Sequence, residues 1–132
     1  MKLLLRLEHL AIALVALAIY WNGGTGWRLF LLLVLVPDLS MLGYAFGPRT
    51  GAMAYNIVHS FVAPALLLAV GYLAGWDLAV PVASIWVFHI AFDRMCGYGL
   101  KRTSGFHETH LGRIGGGRQN WGRSAFRQPV TK

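Results

Sequence analysis

The chain has 132 residues, of which 56% are hydrophobic and 13% are charged, and its formal net charge is +7. This composition excludes an ordinary soluble domain, because so small a fold has too little interior to hide that much apolar surface. The single cysteine, Cys96, excludes both an internal disulfide and a metal–thiolate cluster. We expect Cys96 to be a packing residue near a helix end rather than a nucleophile. The composition therefore predicts a one-domain integral membrane protein.

Four apolar segments are long enough to cross a hydrocarbon core about 30 Å thick as helices. Helix is favoured over strand, because a lone strand in lipid leaves its backbone polar groups without partners. The segments that connect the four spans are short and rich in Gly and Pro, which is typical of turns between antiparallel neighbours. We therefore predict an all-α membrane four-helix bundle within residues 1–100. Its spans are about 3–21, 27–46, 52–73 and 78–96.

The charged residues outside the spans predict how the bundle is oriented. Four spans place both termini on one side, and that side is the more basic one. The positive-inside rule makes the basic side cytoplasmic. On that side lie Lys2, Arg6, Arg49 and a basic C-terminal tail, whereas the other side has Arg28 and Asp77. Aromatic side chains that suit a membrane interface lie on the less basic side, namely Trp21, Trp27 and Trp76.

Residues 101–132 form a polar tail that is rich in Gly and Arg. Such a tail suits an anionic lipid surface or an acidic protein surface, although the positive-inside rule alone also accounts for its charge. Alone in water we expect it to be largely disordered. No aromatic-rich basic groove accompanies the charge, so we do not expect a nucleic-acid partner. Its basic residues are Lys101, Arg102, Arg113, Arg118, Arg123, Arg127 and Lys132, opposed by Glu108.

Several polar side chains lie inside the predicted spans. A charge near the bilayer centre costs at least about 2.5–3.5 kcal/mol, so such groups face the bundle interior and one another. At about 1.5 Å of rise per residue, all of them fall in the cytoplasmic half, on four different helices. This distribution predicts a polar site near the cytoplasmic side. The residues are Glu8, His9, Asp38, Asn56, His59, His89, Asp93 and Arg94.

The spacing of these residues assigns some of them to common faces. His89 and Asp93 are four residues apart, so they point the same way on the fourth helix. Asn56 and His59, three residues apart, share a face of the third helix. Pro37 removes a helical hydrogen bond directly beside Asp38, which predicts a kink in the second helix next to that carboxylate.

Two imidazoles and two carboxylates suit Zn, Mn or non-haem Fe. Asp38, His59, His89 and Asp93 are therefore candidate metal ligands, with Asp93 or Glu8 as the catalytic base for a water activated by the metal. A buried hydrogen-bonded network that fixes helix register explains the same residues without chemistry, and both interpretations stay open. A haem between the two histidines fits less well with the neighbouring carboxylates.

Two further motifs follow the fourth helix. The sequence GYGLK at 97–101 ends that helix with glycines, and Lys101 either suits its negative end or contacts a substrate, which makes it a third catalytic candidate. The sequence HETH at 107–110 differs in spacing from the zinc motif HExxH, and we expect it in a surface loop. His110 is able to fold back over the site as a lid. The supporting candidates are thus Asn56, Arg94 and His110.

Taken together, the motifs resemble a small family of four-span bacterial membrane proteins that is known only as a domain of unknown function. The likeness covers roughly residues 2 to 115. It implies the four-span architecture in the bacterial inner membrane, and it carries no activity. The motifs are RLE at 6–8, PDLSMLGY at 37–44, YN at 55–56 with His59, His89 with DR at 93–94, GYGLK at 97–101 and THLG at 109–112.

A more limited likeness joins the chain to inner-membrane proteins described as metal-dependent hydrolases, which also place PD and His motifs in short spans. The second acid of their PDxD pattern is replaced here by Ser40. The likeness implies metal chemistry at the membrane, and the serine argues against transferring the activity directly.

Three functions are consistent with these observations. The first is a hydrolase that uses a divalent metal (Zn, Mn or Fe) on an amphiphile reached from the inner leaflet. The second is a non-catalytic accessory subunit, with the basic tail docked on partner subunits of a larger membrane complex. The third is a proton or ion pathway, since intramembrane His and Asp relay protons, although the outer half of the bundle has few polar groups to complete a route.

Overall fold

The computed structural model describes residues 2–102, 105–109 and 112–113, and side chains are described for residues 2–102. The helices are α1 (Lys2–Asn22), α2 (Trp27–Leu33), a 3₁₀ helix (Val36–Phe46), α3 (Pro48–Val58), α4 (Val62–Leu73) and α5 (Ala79–Cys96). An antiparallel sheet of order β1-β2-β3 follows, with β1 Lys101–Arg102, β2 Gly105–Thr109 and β3 Gly112–Arg113. The chain is thus mostly helical. The sheet departs from the all-helical prediction, and residues 107–109 lie in β2 rather than in a loop.

Within the described residues, three helical segments are long and apolar enough to cross a membrane, or four if the bent pair of α3 and α4 counts as one span. Large apolar side chains point outward along these segments, as lipid contact requires; Leu32, Leu66 and Val70 each expose more than half of their surface. Three exposed tryptophans, Trp21, Trp27 and Trp76, lie in or beside the turns at one end. The membrane prediction is supported, whereas the cytoplasmic position of the termini stays a prediction.

The second span changes from α to 3₁₀ geometry around Pro37. Because Pro37 has no N–H, the backbone oxygen of Leu33 loses its helical donor. The amide of Asp38 donates instead to the oxygen of Leu35, at 3.1 Å, which is a 3₁₀ bond. A 3₁₀ helix rises about 2.0 Å per residue, so its eleven residues cover about 22 Å. At the predicted kink the structure therefore has a change from α to 3₁₀ helix, which makes the span longer than an α-helix with the same number of residues.

The third predicted span, 52–73, is broken into α3 and α4, which meet at an angle of 49°. Pro64 cannot donate a hydrogen bond to the backbone oxygen of Ser60. That oxygen accepts a bond from the amide of Ala63 instead, at 3.3 Å. The break leaves His59 as the C-terminal cap residue of α3, where backbone oxygens lack helical partners.

Small residues allow the helices to approach one another closely. Ala13 and Ala16 on α1 and Ala83 and Ala91 on α5 are all buried, and α1 makes its main contact with α5. In lipid, helix association depends on such close packing, because burying apolar surface there releases no water. This pairing orients α5, which carries half of the polar site described below.

Two glycines bring the 3₁₀ helix against α3. A Cβ atom on Gly43 would lie 3.0 Å from the Cβ of Ala54, and one on Gly51 would overlap the ring of Tyr44. The two elements are therefore in close contact along their length. This contact fixes Asp38, on the 3₁₀ helix, relative to the end of α3.

We expect Gly51→Val to lower the free energy of unfolding by about 2–3 kcal/mol, because the new side chain overlaps the Tyr44 ring in a close-packed contact. Adding Tyr44→Ala should recover part of the loss, since the two sites share one contact. The measurement is denaturant unfolding in detergent. Met53→Ala is the control, because Met53 lies on the same helix and is 61% exposed. Equal losses in the control and in Gly51→Val would contradict the prediction.

Candidate metal centre

Four side chains from three helical elements converge near one end of the bundle. Asp38 comes from the 3₁₀ helix and His59 from the end of α3, while His89 and Asp93 lie one turn apart on α5. One donor atom of each residue lies within 4.8 Å of the donor atoms of the other three. The structure thus brings together the four side chains predicted as metal ligands.

The separations between the donor atoms resemble those of a tetrahedral metal site. The Nε2 atoms of His59 and His89 are 3.2 Å apart. Asp38 Oδ1 lies 3.5 Å from the His59 nitrogen and 3.4 Å from the His89 nitrogen. Asp93 Oδ2 lies 3.7 Å from both. Ligands about 2.0–2.2 Å from a tetrahedral ion are about 3.3–3.6 Å apart, so His59, His89 and Asp38 have nearly the spacing that an ion such as Zn²⁺ requires. Asp93 lies slightly farther out.

The hydrogen bonds of His59 make its inward nitrogen available to a cation. Its Nδ1 lies 3.1 Å from the backbone oxygen of Tyr55, so we assign the ring proton to Nδ1, which donates to that oxygen. Nε2 then presents a lone pair to the cluster. Metal-binding histidines are commonly oriented by such a bond to a carbonyl. Two imidazole nitrogens 3.2 Å apart need either a proton on one of them or a cation between them, because two facing lone pairs repel.

The cluster is closed on its histidine side and open on its carboxylate side. The side chains of His59 and His89 are 3% and 6% exposed, whereas those of Asp38 and Asp93 are 40% and 22% exposed. Water or a substrate therefore approaches the cluster past the carboxylates. Catalytic metal sites differ from structural ones in keeping such an open position.

His59 is held in place by aromatic and polar side chains. The ring of Tyr55 stacks on the imidazole, with ring centres 3.7 Å apart and planes at 12°. Trp86 Nε1 donates to the backbone oxygen of Val58 at 2.8 Å, and Arg94 Nη2 donates to that of His59 at 3.2 Å. These bonds replace the helical donors that the break removes. The predicted supporting residue Arg94 thus acts by holding the backbone of a ligand.

Tyr55 and Trp86 were not among the predicted site residues. Tyr55 contacts two members of the cluster, because its hydroxyl also lies 3.5 Å from Asp93 Oδ2 and donates to it. Their spacing from the two histidines could have indicated that they belong to the site. Tyr55 is four residues before His59, and Trp86 is three residues before His89, so each shares a helix face with a ligand.

Asn56 connects α3 to β1 by pairing with the backbone of Lys101. Its Nδ2 donates to the Lys101 oxygen at 2.8 Å, and the Lys101 amide donates to its Oδ1 at 2.7 Å. Lys101 is buried, and its Nζ lies 5.2 Å from the centre of the Tyr55 ring. Burial lowers the pKa of the Lys101 ammonium, and the negative charge of Asp93 opposes part of that shift. The predicted supporting residue Asn56 therefore positions the predicted catalytic residue Lys101 beside the cluster.

The other predicted site residues are not part of the four-residue cluster. Glu8 is exposed on α1, and its role as a base stays a prediction. His110 lies outside the described residues. His9, also on α1, stacks against Phe61 with ring centres 6.3 Å apart, and the Arg94 guanidinium lies 5.3 Å from the centre of the same ring. α1 therefore reaches the site indirectly, through Phe61 and Arg94.

Residues 2–114 match a protein family described as a domain of unknown function (DUF4260). The chain belongs to this family. Membership confirms the resemblance to an uncharacterised family, and residues 115–132 lie outside the matched part. No curated protein and no solved structure matches the chain. The second likeness, to metal-dependent hydrolases, therefore stays a hypothesis, and the function has to be argued from the site itself.

We expect detergent-purified protein to contain about one divalent metal ion per chain, because the two imidazoles and the Asp38 carboxylate have the chemistry and nearly the spacing of ligands to a single ion. His59→Ala and His89→Ala should each lose the ion, which elemental analysis measures. His9→Ala is the matched control, since it removes a histidine outside the cluster and should leave the metal in place. Full metal content in His59→Ala, or folded wild-type protein without metal, would overturn this expectation.

A second prediction concerns the pairing of Asn56 with β1. We expect Asn56→Ala to accelerate hydrogen exchange of the Lys101 amide, because that amide loses its acceptor. The loss of two hydrogen bonds should also lower the free energy of unfolding by about 1–3 kcal/mol. Ser60→Ala is the control, since the Ser60 hydroxyl bonds only locally, to the oxygen of Ile57. An unchanged Lys101 exchange rate would show that something else holds β1.

Proposed function

We propose that the protein is a metal-dependent hydrolase embedded in the membrane, acting on an amphiphilic substrate reached from the cytoplasmic side. The observation that carries the proposal is the set of two imidazole nitrogens and two carboxylate oxygens, within 4.8 Å of one another, in an otherwise apolar bundle. Placing such groups at membrane depth is costly, which favours a function for them. The opening on the carboxylate side supports catalysis over a purely structural ion.

The distances between the donor atoms suggest which residues would bind the ion and which would act as the general base. His59, His89 and Asp38 are the closest donors, at 3.2–3.5 Å from one another, and would hold the ion. Asp93 is set back, 3.7 Å from both nitrogens, and accepts a hydrogen bond from Tyr55, which suits a general base. A bound divalent metal supplies Lewis acidity and lowers the pKa of a coordinated water towards 7.

Residues of the chain would transfer the proton and stabilise the negative charge that develops during hydrolysis. Asp93 would accept the proton of the attacking water and return it to the leaving group. Lys101 and Arg94 carry positive charge beside the cluster, so they would stabilise negative charge that develops on the substrate. Asn56 supports this role, because it holds the backbone of Lys101 in place.

The depth of the cluster supports an amphiphile as the substrate. On α5, Asp93 and His89 lie three and seven residues before the last helical residue, Cys96, or about 5 and 10 Å along the axis. A head group reaches this depth while its chain stays in the bilayer. The assignment of this end to the cytoplasm rests on the distribution of Lys and Arg.

The two other hypotheses, a proton or ion pathway and an accessory subunit, account for fewer of these features. A proton or ion pathway draws on the 3.2 Å contact between His59 and His89. The preceding half of α5, residues 79–87, has only Ser84 and Trp86 as polar side chains, which makes a continuous relay difficult. An accessory subunit, with partner subunits docked on the basic tail, makes no use of a convergent site. Hydrolysis is therefore the function that the geometry supports best.

The test is turnover of a panel of amphiphilic esters and phosphoesters by metal-loaded protein in nanodiscs. Asp93→Asn should keep its metal but lose about 10²–10⁴-fold in kcat, because it removes the general base. Asp77→Asn, at the opposite end of the bundle, is the control and should change neither quantity. Glu8→Gln separates the two candidate bases: a loss there, with Asp93→Asn fully active, would transfer the role to Glu8. A metal-loaded wild type that turns over no member of the panel would overturn the proposal.

A further inference from the structure

An apolar groove with a volume of about 470 Å³ lies near the cluster of Asp38, His59, His89 and Asp93. Its walls come from α2, the 3₁₀ helix, the end of α3 and the first half of α5. The volume falls within the range of about 300–1,000 Å³ that is usual for small-molecule sites. Lining residues include Val36, Pro37, Ser40, Val58, Val82 and Trp86.

The groove adjoins the helix positions that carry the cluster, because several of its lining residues are close neighbours in the chain of Asp38, His59 and His89. Pro37 directly precedes Asp38, and Val58 directly precedes His59. Trp86 lies one helical turn before the histidine of α5. A chain that fills the groove would therefore have one of its ends near the cluster.

The chemistry of the lining favours a hydrocarbon chain. Two of the lining residues carry a polar side-chain atom. Trp86 Nε1 is already bonded to the backbone oxygen of Val58. Ser40 Oγ is buried and has no hydrogen-bond partner among the described residues. The surface that the groove offers to a ligand is therefore almost wholly apolar, which suits a hydrocarbon chain.

We propose that this groove, here named the acyl groove, binds one hydrocarbon chain of the substrate and thereby places the head group at the cluster. The substrate class is then a lipid whose hydrolysable bond joins a chain to a polar head. The role of the head group rests on the proposed hydrolase function. Binding of the chain is an independent property, because it depends on the groove and not on the metal.

A second apolar groove supplies the control. It has a volume of about 710 Å³ and lies between α1, α4 and α5, with Val15, Leu68 and Val80 among its lining residues. Although it is larger, none of its lining residues is an immediate chain neighbour of a ligand. Val80 and Val82 are two residues apart on α5 and line different grooves, so the same substitution at each gives a matched pair.

The experiment uses a single-chain phospholipid with a photoreactive diazirine in its chain, added to full-length protein in detergent. Mass spectrometry then locates the labelled peptides. We expect labelling around Val58 and Val82 that unlabelled single-chain phospholipid displaces. Val82→Trp should abolish this displaceable labelling, whereas Val80→Trp should retain it. Labelling that is not displaced, or that is equal in the two variants, would overturn the acyl groove.

A second variant and two further measurements distinguish failure of the acyl groove from failure of the hydrolase proposal. If Val82→Trp does not fold, Val36→Trp fills the same groove from the 3₁₀ helix, where Val36 is 46% exposed. Metal content and turnover are measured on the same samples. Displaceable labelling of a folded protein without metal or turnover would overturn the hydrolase proposal and support the acyl groove. Metal and turnover without displaceable labelling would overturn the acyl groove alone.

Discussion

The contact between His59 and His89, whose Nε2 atoms are 3.2 Å apart, joins two spans across thirty residues of sequence. It forms only because α3 ends where α5 passes, so that a residue at a helix end meets one in a helix interior. Asp93 then faces the pair because it lies one turn further along α5. Asp38 reaches it because the 3₁₀ helix packs closely on α3. The polar end of the bundle is arranged around this pair.

Breaking a span inside a membrane has a cost, since lipid offers no hydrogen-bond partners to the freed backbone groups. The chain meets this cost locally. After Pro37 the backbone changes to 3₁₀ bonds, and at the end of α3 the side chains of Trp86 and Arg94 donate to the oxygens of Val58 and His59. α5 therefore supplies two of the candidate ligands, His89 and Asp93, and also the donors that hold the backbone beside a third, His59. The break at the end of α3 thus lies where α5 can donate hydrogen bonds to the freed oxygens.

Much of the fold and of the candidate site followed from the sequence. Membrane embedding and the approximate spans depend on hydropathy, which each residue contributes independently of its neighbours in space. Asp38, His59, His89 and Asp93 stood out for a similar reason, because a polar group in an apolar span is costly wherever its partners are. The stacking of Tyr55 and the sheet after α5 were not predicted, since aromatic residues and short polar segments are common at a membrane end and carry no comparable cost.

By itself, the sequence determined which residues must avoid lipid, whereas the tertiary structure decided which of them meet. Glu8 illustrates the difference, because the sequence predicted it as a catalytic base at the same polar site. The face of α1 that packs on the bundle contains Ala13, Ala16 and Tyr20. Glu8 precedes Ala13 by five residues, which turns it about 140° away on the helix and leaves it exposed. Hydropathy acts on single residues, but the distances in a site depend on how helices far apart in the chain pack together.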